Sequence, residues 1–348
     1  MRFSTARLLT PVVALAIAGC GSSSPASSSS ASSPATSGAA STSTASSSTA
    51  AAAPAVAELV AAQHPRAGMF PAAHGRSLRA LAALVGASAQ FGAATGTFTP
   101  GTQRLAFALN ARSGAFIYAP TAVYIAKRAG APARGPFLAP ADPMTVPAAD
   151  RSAQNAGPGG IQAIYGARLP VPGAGTYTVL SITRTSKGLI GAPGEIAVAK
   201  SSPIPDVGQR APDIATDTAA TVHGNVSLLT TRRPPEQMHL VSLHQVLGKK
   251  PIALLFSTPQ FCVSRVCGPV TDVTVALQRK FGNRVTFIHE EVYAHNQPKA
   301  GLRAPMKAFH LQTEPWLFTI NRRGIITARL EGAFGTTELA QALRAALR

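Results

Sequence analysis

The stretch PIALLFSTPQFCVSRVCGPVTDVTVALQRKF, residues 251–281, decides the fold of the C-terminal part of this chain. Its first six residues, 251–256, form a continuous apolar run, which is typical of a central strand that is buried on both faces. Its last part, 270–281, carries apolar residues at helical spacing and predicts a helix. Cys262 and Cys267 lie between these two predicted elements, so a cysteine pair is expected where a buried strand meets a helix.

Further elements surround this strand and helix. Ser242 and Gly248 provide the start and stop signals of a short helix. The predicted elements, in chain order, are a helix at 242–249, the strand at 251–256, the helix at 270–281, a strand at 284–289, a partly helical segment at 299–311, a hairpin with strands at 315–320 and 325–330, and an amphipathic helix at 337–347. From 251 onward the order is β-α-β-α-β-β-α.

This order resembles the α/β thioredoxin fold. Residues 207–213 and 241–252 are similar to the opening of TlpA-like and redoxin domains, and Glu314-Pro315 before a strand looks like the cis-proline hairpin of that family. The resemblance implies a thioredoxin-like domain at 204–348. Cys262 and Cys267 are then the redox pair, and Pro315 is the cis-proline beside them.

The cysteine pair departs from the family pattern in its spacing. Four residues separate the cysteines, where the family has two, so two alignments stay open. In one, Cys262 follows an aromatic residue as the family's exposed nucleophile does. In the other, the string Cys267-Gly-Pro269 matches the family's Cys-Gly-Pro, and Cys267 takes the helix N-terminus. The strand before the motif also lacks the buried acid of thioredoxins, while Arg265 offers a positive charge that favours a thiolate.

Three functions compete for this pair. The first is thiol-disulfide exchange with thiols or disulfides of exported proteins. The second is a non-enzymatic binding lipoprotein in which the pair is a structural disulfide. The third resembles Sco-type copper chaperones, which add a distant histidine to two cysteines. His289, His295 and His310 are the available histidines, but none has that sequence context, so no metal ligand and no cofactor are predicted.

The N-terminus has the pattern of an export signal. Positively charged Arg2 and Arg7 precede an apolar segment at 8–18 that is too short to span a bilayer, and small residues precede Cys20. The ending resembles the lipobox of bacterial lipoproteins, which implies a signal peptide at 1–20 and a lipid on Cys20. We therefore expect a chain anchored to the membrane outside the cytoplasm, with no transmembrane helix after processing.

Residues 21–56 are almost entirely Ser, Ala, Thr and Pro and predict a disordered tether. The segment at 57–203 opens with a helix at 77–85 that Ser77 would cap, and continues as short strands divided by Gly and Pro. These strands are expected at 104–109, 116–118, 122–126, 160–166, 176–182 and 195–199. The pattern indicates a β-sandwich, and residues 172–179 resemble immunoglobulin-like modules.

Charge and composition exclude one class of partner. The formal net charge is +18, but the basic residues are scattered and aromatic residues are sparse, so a nucleic-acid surface is not expected. In the Pro-rich loop of the middle segment, turn formation explains Asp142 and Asp150 without chemistry. The sequence thus predicts a multidomain exported protein with a middle sandwich and a C-terminal thioredoxin-like domain.

Overall fold

The computed structural model describes residues 56–155 and 160–348. The predicted signal peptide, Cys20 and the predicted tether up to residue 55 lie outside the described residues. Val56, the last residue of that tether prediction, begins helix α1 (Val56–Gln63). Within the described ranges, every helix is too short or too polar to cross a membrane.

The middle segment is built almost entirely from β-strands. A short helix, α2 (Leu78–Ala82), precedes all of them, and the Ser77 hydroxyl accepts a hydrogen bond from the Ala80 amide as the predicted cap. The strands are β1 (Ala87–Ser88), β2 (Gln90–Ala93), β3 (Gly101–Asn110), β4 (Thr121–Ala126), β5 (Arg134–Leu138), β6 (Ala141–Pro143), β7 (Ala163–Val171), β8 (Gly175–Thr185) and β9 (Gly188–Val198).

These strands form two sheets that share an apolar core. One sheet has the order β1-β9-β8-β4-β5 and the other has the order β2-β3-β7-β6. Phe107 and Tyr165 from the second sheet stack at a centroid distance of 5.3 Å, and they share a core with Val123 and Val179 from the first. Burial of these side chains on the inner faces holds the two sheets together.

Two details of the middle segment differ from the prediction. The expected strand at 116–118 makes only an isolated bridge, between Asn110 and Phe116, and the Ile117 amide donates to the Leu109 carbonyl of β3. The strand expected at 160–166 begins and ends later than predicted, since β7 starts at Ala163 and continues through Pro170. β6 pairs only with the start of β7, so one side of the strand is free there and tolerates proline.

The C-terminal segment has the predicted element order. Its elements are α3 (Leu243–Val246), β10 (Ile252–Phe256), α4 (Cys267–Phe281), β11 (Thr286–Glu290), α5 (Ala304–Ala308), β12 (Trp316–Ile320), β13 (Ile326–Glu331) and α6 (Thr336–Ala346). The sheet order is β11-β10-β12-β13, with β10 parallel to β11 and antiparallel to β12. A parallel pair joined through α4, followed by an antiparallel hairpin and a last helix, is the thioredoxin-like topology.

β10 lies inside the sheet, between β11 and β12, and all of its side chains are buried. Ala253 and Leu255 face one apolar core, while Ile252, Leu254 and Phe256 face another on the opposite side of the sheet. This alternation follows from the two-residue period of a strand. The C-terminal end of β10 is therefore held firmly on both faces where the cysteine loop begins.

Charged side chains join the middle segment to the C-terminal segment. Arg104 of β3 binds the Glu338 carboxylate of α6 at 2.7 Å through both Nε and Nη2, and donates to the carbonyl oxygens of Glu331 and Ala333. Glu331 in turn accepts the backbone amides of Gly96 and Thr97. Over residues 56–155 and 160–348, the two segments thus form one compact body.

Asp142 has a role that differs from the predicted turn formation. Its carboxylate accepts the amides of Gly335, Thr337 and Glu338, so it caps the N-terminus of α6 from the middle segment.

Glycine is required at position 332, where the C-terminal segment contacts the middle segment. The φ of Gly332 is +70°, and a Cβ there would overlap the Ala94 carbonyl oxygen.

Asp150 also makes contacts beyond the predicted turn. Its side chain is buried, and one carboxylate oxygen lies 2.9 Å from Nη1 of Arg279 on α4. Its backbone carbonyl accepts a hydrogen bond from the buried Arg232. Asp150 therefore fixes the loop that follows β6 against the helix that carries Cys267.

Candidate functional site

Cys262 and Cys267 form a disulfide bond at the end of the central strand. β10 ends at Phe256, a loop carries Cys262, and Cys267 is the first residue of α4. Their Cα atoms are 6.0 Å apart, as the spacing of the pair allows. Cys267 is fully buried, while Cys262 keeps 8% of its surface exposed. Cys262 is therefore the sulfur that a second protein reaches more easily.

The N-terminus of α4 provides the electrostatic environment of Cys267. This helix has 15 residues, and its first backbone amides have no partner within the helix, so they place a partial positive charge at Cys267. The first turn is fixed because the Cys267 carbonyl accepts the hydroxyls of Thr271 at 2.8 Å and Ser257 at 3.3 Å. A thiolate on Cys267 is stabilised there.

The loop between the cysteines is tight and exposed. Arg265 adopts a φ of +58°, and its amide donates to the Cys262 carbonyl at 3.1 Å. Val263 next to Cys262 is 95% exposed. The exposed tip presents the loop to solvent, while both sulfurs lie at its base.

Pro315 lies at the start of β12, and the Glu314–Pro315 peptide bond is cis, as the sequence predicts. β12 pairs directly with β10, with Trp316 opposite Phe256, the last residue before the cysteine loop. This register places Pro315 beside the disulfide. Trp316 is fully buried and belongs to the core below the sheet.

Glu314 is a site residue that the sequence analysis missed. A carboxylate oxygen of Glu314 and the two cysteine sulfurs all lie within 4.8 Å of one another. Burial raises the pKa of the Glu314 carboxyl above its ordinary value. Its place immediately before the predicted cis-proline was the available signal. Glu314 supplies an acid at the cysteine pair from the loop before β12 rather than from the strand before the motif.

A cavity of about 590 Å³ borders the cysteine loop and lies against the middle segment. Its lining is mostly apolar, with the charged side chains of Arg265 and Glu314 on the cysteine side. The middle segment contributes Gly92, Ala93, Ala94, Ala108, Ile161 and Ile164, and the C-terminal segment contributes Ser264, Arg265, Val266, Pro269, Glu314 and Pro315. The cavity therefore opens beside the disulfide and is bordered by both segments.

The middle segment also packs on the helix that carries Cys267. Asp272 of α4 is fully buried and accepts hydrogen bonds from the Ser152 amide and hydroxyl, the Asn155 side chain and the Arg232 guanidinium. One turn earlier, Gly268 leaves room for Gln154, since a Cβ on Gly268 would lie 3.0 Å from that of Gln154. Asp272 is thus a structural anchor of the site.

The histidines considered for a copper site do not join the sulfurs. Among residues 56–155 and 160–348, the group that includes both sulfurs is completed by Glu314 and contains no histidine. His295 and His310 are exposed. His289 is fully buried, and both of its ring nitrogens have other partners, Glu236 and the Ser257 carbonyl.

Comparisons with known proteins give a structural likeness over part of the chain. No family model and no curated protein matches the chain. Among solved structures, it is similar to a crystal structure from Chlorobium tepidum that is described as a candidate thiol:disulfide interchange protein, DsbE. The similarity has 16% sequence identity and a TM-score of 0.29, and it covers 41% of this chain and 99% of that one.

Proposed function

We propose that this chain is a lipid-anchored, extracytoplasmic thiol-disulfide oxidoreductase that acts on thiols or disulfides of exported proteins. The observation that carries the proposal is the Cys262–Cys267 disulfide at the N-terminus of α4, beside cis-Pro315. A thiolate is the attacking species in disulfide exchange, and this position stabilises one. The domains at 57–203 and 204–348, and the immunoglobulin-like character of the first, are part of the same proposal.

Exchange proceeds in two steps that conserve electrons. A client thiolate attacks the Cys262 sulfur, the Cys262–Cys267 bond breaks, and Cys267 leaves as a thiolate at the helix N-terminus. A second client thiolate then attacks the client sulfur of the mixed disulfide and releases Cys262. The client dithiol is oxidised to a disulfide, and the cysteine pair is reduced to two thiols. The reverse sequence reduces a client disulfide.

The roles of the two cysteines follow from their surroundings. Cys262 forms the mixed disulfide because it retains accessible surface, whereas Cys267 is buried at the helix N-terminus. A sulfur with a stabilised thiolate is also the better leaving group. Cys262 is therefore the proposed contact with the client, and Cys267 is the resolving cysteine.

Glu314 carries the proton in this scheme. As the pair is reduced, a thiolate forms within 4.8 Å of the Glu314 carboxyl group. A carboxyl with a raised pKa both donates a proton to that thiolate and takes it back near neutral pH more readily than an ordinary glutamate does. Glu314 then performs the proton transfer that a buried acid in the preceding strand would otherwise perform.

The signal peptide, the lipid on Cys20 and the tether at 21–56 complete the proposal at the cell membrane. Their support is the sequence pattern alone. A lipid on Cys20 would hold the C-terminal segments outside the cytoplasm, where exported proteins acquire their disulfides.

The reduction potential of the pair tests the proposal. We would use the full chain with Cys20→Ser, so that only Cys262 and Cys267 titrate, and trap thiols across glutathione and dithiothreitol buffers. A potential between about −120 and −270 mV, the range of exchange-active pairs, is expected. In a Cys267→Ser variant, Cys262 should accumulate a mixed disulfide with a client, and Cys262→Ser should not.

A structural disulfide is the second candidate, and one observation favours it. Gln154 covers the start of α4 at Gly268, and little of the pair is exposed. A potential below about −300 mV, together with exchange that is no faster than in a Cys262→Ser variant, would support this binding lipoprotein and contradict the oxidoreductase.

A further inference from the structure

A second cluster of chemically active side chains lies within the C-terminal segment, apart from the cysteine pair. Glu236, His239 and His289 are buried, with side-chain exposures of 1%, 5% and 0%. One carboxylate oxygen of Glu236 lies 2.6 Å from Nε2 of His239 and 2.6 Å from Nδ1 of His289. Three potential ligand atoms from two separate parts of the chain therefore converge on one point.

The remaining polar atom of two of these side chains is held by an outer partner. Nε2 of His289 contacts the Ser257 carbonyl oxygen at 3.1 Å, and Oε2 of Glu236 accepts the Thr230 hydroxyl at 3.0 Å. A ligating histidine whose other ring nitrogen donates to a carbonyl, and a ligating carboxylate that is itself hydrogen-bonded, form the outer shell of a metal site. The side chains are thus oriented toward their common centre.

The charges around the cluster favour a cation. Glu291 is fully buried, and in the part of the chain that the structure describes its Oε2 atom has no hydrogen-bond partner. Its other oxygen accepts the amide and hydroxyl of Thr231, which is adjacent to Thr230. A histidine that ligates a metal is neutral, so the Glu236 carboxylate, which both imidazoles contact, supplies negative charge to a bound cation.

We propose that Glu236, His239 and His289 form a binding site for a divalent transition-metal ion, with Zn²⁺ the best match to the donor set. Two imidazole nitrogens and one carboxylate oxygen suit Zn²⁺ at bond lengths of about 2.0–2.2 Å. Around a tetrahedral ion such ligand atoms lie about 3.3 Å apart, so each nitrogen has to move about 0.7 Å from the Glu236 oxygen.

This site does not depend on the proposed redox function. The cysteine pair has to be replaced in the test, because thiolates also bind Zn²⁺. The test therefore uses a full chain with Cys20→Ser, Cys262→Ser and Cys267→Ser, stripped with a chelator and dialysed against Zn²⁺. We expect one Zn²⁺ per chain by elemental analysis, and visible absorption of bound Co²⁺ without a sulfur charge-transfer band.

Variants of the ligands locate the ion. Glu236→Gln and His239→Gln should weaken Zn²⁺ binding by more than about 100-fold, and the outer-shell change Thr230→Val by about 10- to 100-fold. His244→Gln is the matched control, because His244 is an exposed histidine that pairs with Asp213, and it should bind as the parent does. Circular dichroism confirms that each variant is folded.

The alternative is a purely hydrogen-bonded cluster. Absence of stoichiometric Zn²⁺ and Co²⁺ in the parent chain overturns the proposal without any variant. Folded Glu236→Gln and His239→Gln chains that bind as tightly as His244→Gln also overturn it. Thr230→Val keeps all three ligands, so its weakened binding supports the site even where a ligand variant unfolds.

Discussion

The Glu314 carboxylate should control the ionisation of the cysteine pair. Glu314→Gln removes a negative charge that lies within 4.8 Å of both sulfurs while keeping the size of the side chain. A negative charge disfavours a neighbouring thiolate, so its loss should lower the pKa of the thiols. The change also removes the proton carrier. Thiol-disulfide exchange should therefore be slower at the pH values where proton transfer limits its rate.

The separation sets the size of this shift. At 4.8 Å, the upper limit of the separation, two unit charges interact by about 3.5 kcal/mol at an effective dielectric constant of about 20, and by about 0.9 kcal/mol in bulk water. Glu314 is partly exposed, so solvent screening places the energy between these limits. Since about 1.4 kcal/mol corresponds to one pKa unit, the thiol pKa should fall by about 1 to 2 units.

The assay is the rate of alkylation of the reduced chain by iodoacetamide as a function of pH, with the modified cysteine identified by mass spectrometry. A Cys20→Ser background leaves only the pair. In the parent, the carboxyl and the thiol titrate as a coupled system and give a broad profile. In Glu314→Gln the midpoint should shift downward and the profile should narrow to one step.

Glu195→Gln is the matched control for this experiment, because it removes the same charge from an exposed position on β9 of the middle segment. Its profile should overlay that of the parent. An unchanged midpoint in Glu314→Gln, or an equal shift in Glu195→Gln, would refute the coupling of Glu314 to the sulfurs.

Three further predictions concern the joint between the two segments and the cavity. Arg104→Ala should lower the free energy of unfolding by about 3–5 kcal/mol in urea titration, because it leaves Glu338 without its buried partner. Arg168→Ala is the control. The Arg168 side chain is 65% exposed and lies 3.6 Å from the same carboxylate, so its loss should lower the free energy of unfolding by less than about 1 kcal/mol. Asp142→Ala should cost about 1–2 kcal/mol through loss of the α6 cap, measured as a lower thermal midpoint, and an unchanged midpoint would show that the cap contributes nothing. Ile161→Trp should narrow the cavity and slow exchange with a protein client by about tenfold, which corresponds to about 1.4 kcal/mol on the activation barrier. Exchange with dithiothreitol should stay near the parent rate. Equal slowing of both reactions would contradict a role of the cavity in binding clients.

Much of the C-terminal fold could be predicted because its signals are local. The apolar run at 251–256 predicts a strand buried on both faces, and the structure places β10 at the centre of its sheet. Ser242 and Gln245 form the capping box of α3 within a few residues of sequence. The cysteine pair and the cis bond before Pro315 likewise follow from short motifs in a known order.

The site is complete only after distant residues come together. Glu314 reaches the sulfurs because β12 pairs antiparallel with β10, and no local pattern specifies that register. Asp142 lacks any helix beside it in sequence, yet it caps α6, whose amides lie more than 190 positions further along the chain. A turn and a distant helix cap have the same sequence signature, so only the packing distinguishes them.

The sequence by itself determined the order of the elements, the cysteine pair at the end of a buried strand and the proline beside it, because periodicity and turn chemistry act over a few residues. The tertiary structure decided that a carboxylate lies at the disulfide, that the middle segment lines the cavity, and that Glu236 meets His239 and His289. These contacts depend on strand register and on the packing of whole layers, which hydrophobic patterns leave open.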